Sequence, residues 1–393
     1  MKAELLKKIK TETNRIEKKV IEWRRYFHKY PELGFEEYRT SEKIQNILKQ
    51  TGIPFEVKAK TGVVGYIDRG ADITIGLRAD MDALPVEEKT ELPFASVNKG
   101  IMHACGHDGH TATLLGIACV LKRIEKELKV NVKFIFQPSE ERPPCGAPLM
   151  IKEGVLKNVD YLLGFHFFPQ LPLYKIWIGK GPVMASTDYF KITIKGQGGH
   201  GSAPHLTADP VVCAGYLITA LQTIVSRSIN PMDNAVVSIC SIKGGDAFNI
   251  IPEIVELIGT VRTLKEEVQN KIREEIEKKT YSVCNTYGCQ VDILYKNYSP
   301  VCVNDEGMVE KVKDIAKGIV PQNLVDFHPI MGGEDFAFFA QRVPSAYLFV
   351  GIGDKYGPNH SPTFSIDEKI LPYTVSFFSM LVMGCQDSRG GRI

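Results

Sequence analysis

Neither sign of charge dominates this chain: 48 lysines and arginines stand against 46 aspartates and glutamates, which leaves no electrostatic case for a nucleic-acid partner. No uninterrupted apolar run approaches the roughly 18 residues of a membrane span. The opening residues, MKAELLKKIKTETNRIEKK, carry basic side chains but no apolar segment and no small-residue cleavage site, so a secretory signal is not expected. The nine cysteines are odd in number and scattered, unlike the dense framework of a small secreted domain. Most read as buried thiols. Internal repeats and low-complexity tracts are also missing. Together these absences point away from membrane, nucleic acid and secretion, and toward a cytoplasmic globular enzyme.

What is present is enough apolar material for two cores: 393 residues, 44% of them hydrophobic, suit two domains or one large domain carrying an insertion. Ile9, Ile16, Val20, Trp23 and Phe27 recur at helical spacing and predict a helix that stops before Pro31. A second helix is expected from Glu36 to Lys49. Short β-type runs then alternate with helical stretches: Val63 to Ile67, Ile73 to Leu77, a helix from about Gly109 to Lys126, Val130 to Phe136, a helix around Ala147 to Glu153, and Tyr161 to Phe165. Such alternation predicts an α/β domain with a largely parallel or mixed sheet covered by helices.

From about Ala185 the order becomes strand (Tyr189 to Lys195), helix (Pro210 to Arg227), two strands (Ala235 to Lys243, Ile254 to Arg262), helix (Lys265 to Thr286) and strand (Gln290 to Tyr295). This is a βαββαβ unit of ferredoxin-like type. Helices near Glu306 to Ile319, after Gly333 and from Ile370 to Met383, with a strand at Ala346 to Val350, complete the chain. The expected organisation is a first domain in two parts, 1–184 and 298–393, interrupted by an inserted α+β domain at 185–297.

Five side chains suited to metal binding fall at or just past expected strand ends: Cys105 and His107 in HACGHDGH, Glu141 in QPSEE, His166 in GFHFFP and His360 in GPNHSP. In an open α/β sheet such positions converge on the crevice outside the carboxyl ends of the strands. Cys105 and His107 are spaced by two and project to one side of an extended segment. Glu140 and Glu141 are adjacent and point opposite ways, so one can bind metal while the other faces substrate as general base and later general acid. Taken singly, each motif reads equally well as a buried thiol, a capping or core histidine, or an acidic loop. Taken together, a single metal cluster is more economical. Five ligands exceed the three usual for one catalytic zinc, which suggests two ions sharing a carboxylate or a water.

Across nearly its whole length the chain resembles the two-metal aminoacylase and carboxypeptidase peptidases, in the branch of hippurate hydrolases, auxin-conjugate amidohydrolases and archaeal thermostable carboxypeptidases. The segments that carry the resemblance are HKYPELGFEE (28–37), LRADMDALPVEE (77–88), MHACGHDGHTA (102–112), FQPSEE (136–141), GFHFFP (164–169), KGQGGHGSAPH (195–205), FNIIP (248–252), GTVR (259–262), GGEDF (332–336) and PNHSP (358–362). The resemblance implies that Cys105, His107, Glu141, His166 and His360 hold metal, that Glu140 is the acid/base, and that Asp82 orients a ligand. It implies two zinc ions per subunit, with manganese or cobalt as alternatives. Asp80 stands where other branches place a metal-binding histidine, and RPPCGAP after Glu141 departs from the glycine-rich sequence expected there.

The inserted domain resembles the family's lid and dimerisation domain, which implies a homodimer or homotetramer. There His200 would polarise the scissile carbonyl, while Asn249 and Arg262 would hold substrate, Arg262 by pairing a free α-carboxylate. His103, His110 and His205 are left as supporting residues. The expected activity is a metallo-carboxypeptidase or amidohydrolase that releases the C-terminal amino acid from an N-acyl amino acid or short peptide. Its rivals are an N-acetyl amino acid deacetylase, a dipeptidase reading a free amine, a cysteine hydrolase with Cys105 as nucleophile, and a non-catalytic metal-stabilised binding protein.

Overall fold

The computed structural model describes residues 3–326 and 328–386. It divides into two compact units, one comprising Met1–Gly181, Val303–His328 and Phe338–Ile393, the other Pro182–Cys302 and Pro329–Ala337.

The first unit is built on an eight-stranded sheet: β1 (Phe55–Lys58), β2 (Gly62–Ile67), β3 (Thr74–Asp80), β4 (Asn131–Gln137), β5 (Tyr161–Phe168), β6 (Ile176–Trp177), β7 (Leu324–Val325) and β8 (Ser345–Gly351). Their order across the sheet is β1-β2-β4-β3-β5-β8-β6-β7. The central four, β4, β3, β5 and β8, are mutually parallel, and antiparallel pairings flank them through β2 and β6. This is the mixed α/β sheet that the alternation predicts. Every residue of β3, β5 and β8 is buried, as expected for parallel strands covered on both faces. Arg78, Asp80 and His166 therefore stand out as polar residues inside otherwise apolar strands.

The chain passes from β3 to β4 on one side of β3 and then to β5 on the other. That reversal opens a crevice at the carboxyl end of β3, the place where such sheets bind ligands. Helix Ala3–Lys29 buries Ile9, Ile16, Val20 and Phe27 along one stripe. It packs with helices His107–Arg123 and Ile370–Cys385. Both of these are apolar nearly all round because they are buried nearly all round. Each fully buried Leu, Ile or Phe in this layer contributes about 1.5–3 kcal/mol.

Several elements differ from the sequence expectation. Strand β5 runs on through Phe168, so His166 lies within it rather than at its end. The helix expected from Gly109 starts at His107. The helix after Gly333 is the single short turn Phe336–Ala340. The short strands β1, β6 and β7 were not expected, since two to four residues carry no readable period.

In the second unit the order is strand Thr187–Lys195, helix Pro210–Thr223, strands Ala235–Lys243 and Ile254–Thr263, helix Glu266–Thr286 and strand Gln290–Ser299. All sheet neighbours are antiparallel, and the first strand sits between the third and fourth. This is the ferredoxin-like βαββαβ arrangement. Contrary to the sequence expectation, one segment, Pro210–Ser228, is long and apolar enough to cross a membrane by length and composition. It instead buries Cys213, Ala214, Leu217 and Leu221 in the core of the unit.

Candidate metal centre

Cys105, His107, Glu141, His166 and His360, brought from four separate stretches of sequence, converge in the first unit. Gly106, at φ +90°, supplies the left-handed turn between Cys105 and His107. Cys105 Sγ lies 3.3 Å from His166 Nε2. His107 Nε2 lies 3.7 Å from Glu141 Oε1, and His360 Nε2 lies 3.5 Å from Glu141 Oε2. Bonds of 2.0–2.3 Å to a tetrahedral ion put donors about 3.4 Å apart. The Cys105–His166 and His360–Glu141 spacings match that edge length.

Two of the donor atoms lack a hydrogen-bond partner. His107 Nε2 and Glu141 Oε1 are buried with no hydrogen-bond partner, a costly state unless a cation takes their lone pairs. Both central imidazoles are oriented for it. His107 Nδ1 donates to the Asp82 carbonyl at 3.0 Å, and His166 Nδ1 donates to the Phe167 carbonyl at 2.7 Å. Each leaves Nε2 facing the pocket, the usual support for a ligating histidine.

Two triads account for the five ligands. Cys105, His107 and His166 form one, and Cys105, Glu141 and His360 form the other. Cys105 belongs to both of these triads, while Glu141 recurs in a further group with His107 and Glu140. Burial, then Glu141, Glu140 and Asp80, hold the pKa of the Cys105 thiol well above the ordinary value. Burial opposes charge on His107, yet Asp80, Asp82 and Glu141 outweigh it and raise His107 to about 10. A bound cation takes the place of those protons.

Asp82 does more than orient one ligand. Its Oδ1 and Oδ2 accept the backbone N–H groups of Glu140 and Glu141, each at 3.0 Å. The preceding residue, Ser139, donates its N–H to Glu37 Oε1 at 2.9 Å. Glu37 also accepts from Thr61 Oγ1 and is raised to about 7, chiefly by burial and next by Asp82. The loop then folds back so closely that a Cβ on Gly146 would sit 1.8 Å from the Pro138 carbonyl oxygen.

Asp80 pairs with Arg78 Nη1 at 2.7 Å and with His110 Nδ1 at 2.6 Å. His110 Nε2 in turn accepts the Phe167 N–H at 2.9 Å, which fixes the strand beside His166. Arg78 also donates to Gln137 at 2.8 Å. Glu37, Arg78 and Gln137 were missed as site residues, although a charged Arg78 within TIGLRAD signals a buried partner.

His200 and Asn249 lie together in the second unit, His200 pairing with Ile250 and the Asn249 carbonyl accepting the Gly201 N–H at 2.8 Å. Arg262 lies on a central strand of the same unit, half-buried and bonded to Thr260 Oγ1 and the Val261 carbonyl. His205 is exposed in the short turn Pro204–Leu206.

An open α/β sheet with inward-facing thiol, imidazole and carboxylate donors at its switch point, and a second carboxylate beside them, defines a metal-dependent hydrolase. The model of Peptidase family M20/M25/M40 matches residues 76–384. Thermostable carboxypeptidase 1 of Saccharolobus solfataricus is 41% identical, over 94% of this chain and 95% of its own. N-acetyl-L-cysteine deacetylase of Bacillus subtilis is 40% identical, over 91% and 85%. A dinuclear metal-binding peptidase of Bacillus subtilis, solved by crystallography, superposes with a TM-score of 0.83 at 36% identity, covering 94% and 98% of the two chains. The chain belongs to peptidase family M20/M25/M40.

Proposed function

We propose that the protein hydrolyses the amide bond of N-acyl amino acids or short peptides and releases the C-terminal amino acid, with zinc as its metal. The reading rests on one observation: two donor triads sharing Cys105 lie beside Glu140, whose backbone is held by Asp82. Cys105, His107 and His166 would hold one ion, and Cys105, Glu141 and His360 the other. When bound, the pair supplies Lewis-acid polarisation of the scissile carbonyl and a nucleophile at neutral pH.

The chain's own residues do the rest. Glu140 takes the proton of the attacking water and returns it to the leaving amine nitrogen. His200 supplies a donor to the developing oxyanion. The Ser202 N–H donates to His200 Nδ1 at 3.1 Å, so in the neutral ring the proton sits on Nε2, the tautomer that can donate. Asn249 holds substrate, and Arg262 reads the free α-carboxylate, which makes the enzyme an exopeptidase. An N-acetyl amino acid deacetylase is the short-acyl case of this same reaction.

The second unit would close as a lid and carry self-association, since Leu206, Tyr216, Met232 and Phe248 are large, apolar and exposed there. Nine cysteines, odd in number and scattered, support a reducing, cytoplasmic setting.

The test is metal analysis followed by a panel of acetyl-, benzoyl- and benzyloxycarbonyl-amino acids beside free dipeptides and C-terminal amides. Chelation should abolish activity and zinc restore it. Full activity after metal removal sinks the mechanism. Strong preference for free dipeptides, or equal cleavage of amides, sinks the substrate assignment.

A further inference from the structure

The second unit holds three thiols that hydrolysis does not use. Cys213 lies on helix Pro210–Thr223, Cys284 near the end of helix Glu266–Thr286, and Cys289 immediately before strand Gln290–Ser299. Cys213 Sγ is 3.7 Å from Cys284 Sγ, and the Cys289 thiol lies close enough to both to shift their titration. Cys213 is thus the common neighbour of two separate partners. All three are free and buried, and Cys289 keeps the largest exposure, 8%. Its sulfur faces the carbonyls of Tyr287 and Ala208 at 3.7 and 3.8 Å, and no charged side chain hydrogen-bonds any of the three sulfurs in the described contacts.

We propose that this trio is a thiol–disulfide exchange site, in which Cys213 forms a disulfide with Cys284 or Cys289 when the protein meets a low-molecular-weight disulfide. Cys289, the most accessible thiol, loses its proton and attacks one sulfur of the small disulfide, expelling one small thiol and leaving a mixed disulfide. Cys213, deprotonated in turn, attacks Cys289 Sγ and expels the second small thiol. Cys284 can then attack Cys213 and release Cys289. Overall, two protein thiols are oxidised to one disulfide, and the small disulfide is reduced to two thiols, which carry off both protons. The sulfurs must close from contact to about 2.05 Å, a movement across two helices that already touch.

Two features support this choice over inert core packing. An isolated buried cysteine fills space with one sulfur, whereas here three sulfurs from three places in the sequence share one contact. The link also has leverage, because Cys213 and Cys284 are 71 residues apart, and closing so long a loop restricts the unfolded state strongly. Burial and the neighbouring thiols push Cys213 up to about 12 and Cys289 up to about 11. Exchange is therefore slow at neutral pH and quickens as pH rises, because the thiolate is the attacking form.

The test uses the full metal-loaded chain, incubated with oxidised glutathione at mildly alkaline pH, acid-quenched, unfolded, alkylated and digested without reduction. Mass spectrometry should find Cys213 cross-linked to Cys284 or Cys289, and the melting temperature should rise on oxidation and return on reduction. Cys284→Ala should retain the link to Cys289. Cys213→Ala should lose every link and accumulate the glutathione adduct on Cys289. Recovery of all three thiols fully alkylated, with an adduct only on the exposed Cys240, overturns the proposal, as does a link that persists in Cys213→Ala. The wild-type measurement needs no variant to fold.

Discussion

Asp82 accepts the backbone N–H of Glu141 on one carboxylate oxygen and, on the other, that of Glu140. One side chain thereby fixes the backbone of both carboxylate residues, the proposed metal donor and the proposed acid/base. Asp82→Asn puts an amide N–H₂ against one of those N–H groups. We expect activity or metal affinity to fall roughly 10–100-fold, with overall fold intact by circular dichroism. Unchanged kinetics and unchanged affinity in chelator competition contradict this role.

Glu140→Gln keeps the size of the side chain and removes the proton carrier. The expected result is a fall in kcat of roughly 10²–10⁴-fold while the metal content of the purified protein stays at the wild-type level. A non-catalytic binding protein predicts no turnover to lose, so measurable wild-type hydrolysis that vanishes in this variant separates the two readings.

Cys105 belongs to both donor triads, whereas His166 and His360 belong to one each. Equilibrium dialysis with elemental analysis should accordingly find Cys105→Ala depleted of both ions, and His166→Ala and His360→Ala each depleted mainly of one. Equal depletion in all three variants argues against the thiol as the shared ligand.

His28 links Asp108 and Glu88, at 2.9 Å through Nδ1 and 3.0 Å through Nε2, beneath the helix that begins at His107. Burial pushes its pKa down, but the bonds to Asp108 and Glu88 prevail and raise it above the ordinary value. A histidine raised on folding gives stability that is full below its unfolded value, about 6.5, and is lost as pH rises through the folded value. Denaturant melts of the wild type should show that alkaline decline. In His28→Gln it should flatten, and the protein should lose roughly 3 kcal/mol at neutral pH for breaking a buried pair. Parallel curves for the two proteins rule the assignment out.

The helices and the long strands of both units were legible because their apolar period is local. Ile9, Ile16, Val20 and Phe27 mark a buried stripe wherever the helix ends up. Donor types were legible too: Cys105, His166 and the Glu140–Glu141 pair are chemically out of place next to apolar strands. What sequence could not carry was tertiary. Ile176–Trp177 becomes a strand only between Ser345–Gly351 and Leu324–Val325, and Leu324–Val325 only against Ile176–Trp177. Glu37 looks like one of several acidic residues in PELGFEE until the fold delivers Ser139 to it. The sharing of Cys105 between two triads is a matter of distances that spacing along the chain does not encode.

The donors of the metal centre run from Cys105 to His360, and the first unit is completed only by helix Ile370–Cys385, which supplies core residues such as Phe378 and Leu381. During synthesis the ribosome must therefore release almost the entire chain before His360 can meet Glu141. A chain cut short before that point lacks one of the five donors and leaves the triad of Cys105, Glu141 and His360 incomplete, so cation binding there is coupled to completed folding. Metal content thus reports more than activity: in a mixed preparation it reports the molecules in which the His360 loop has reached Glu141.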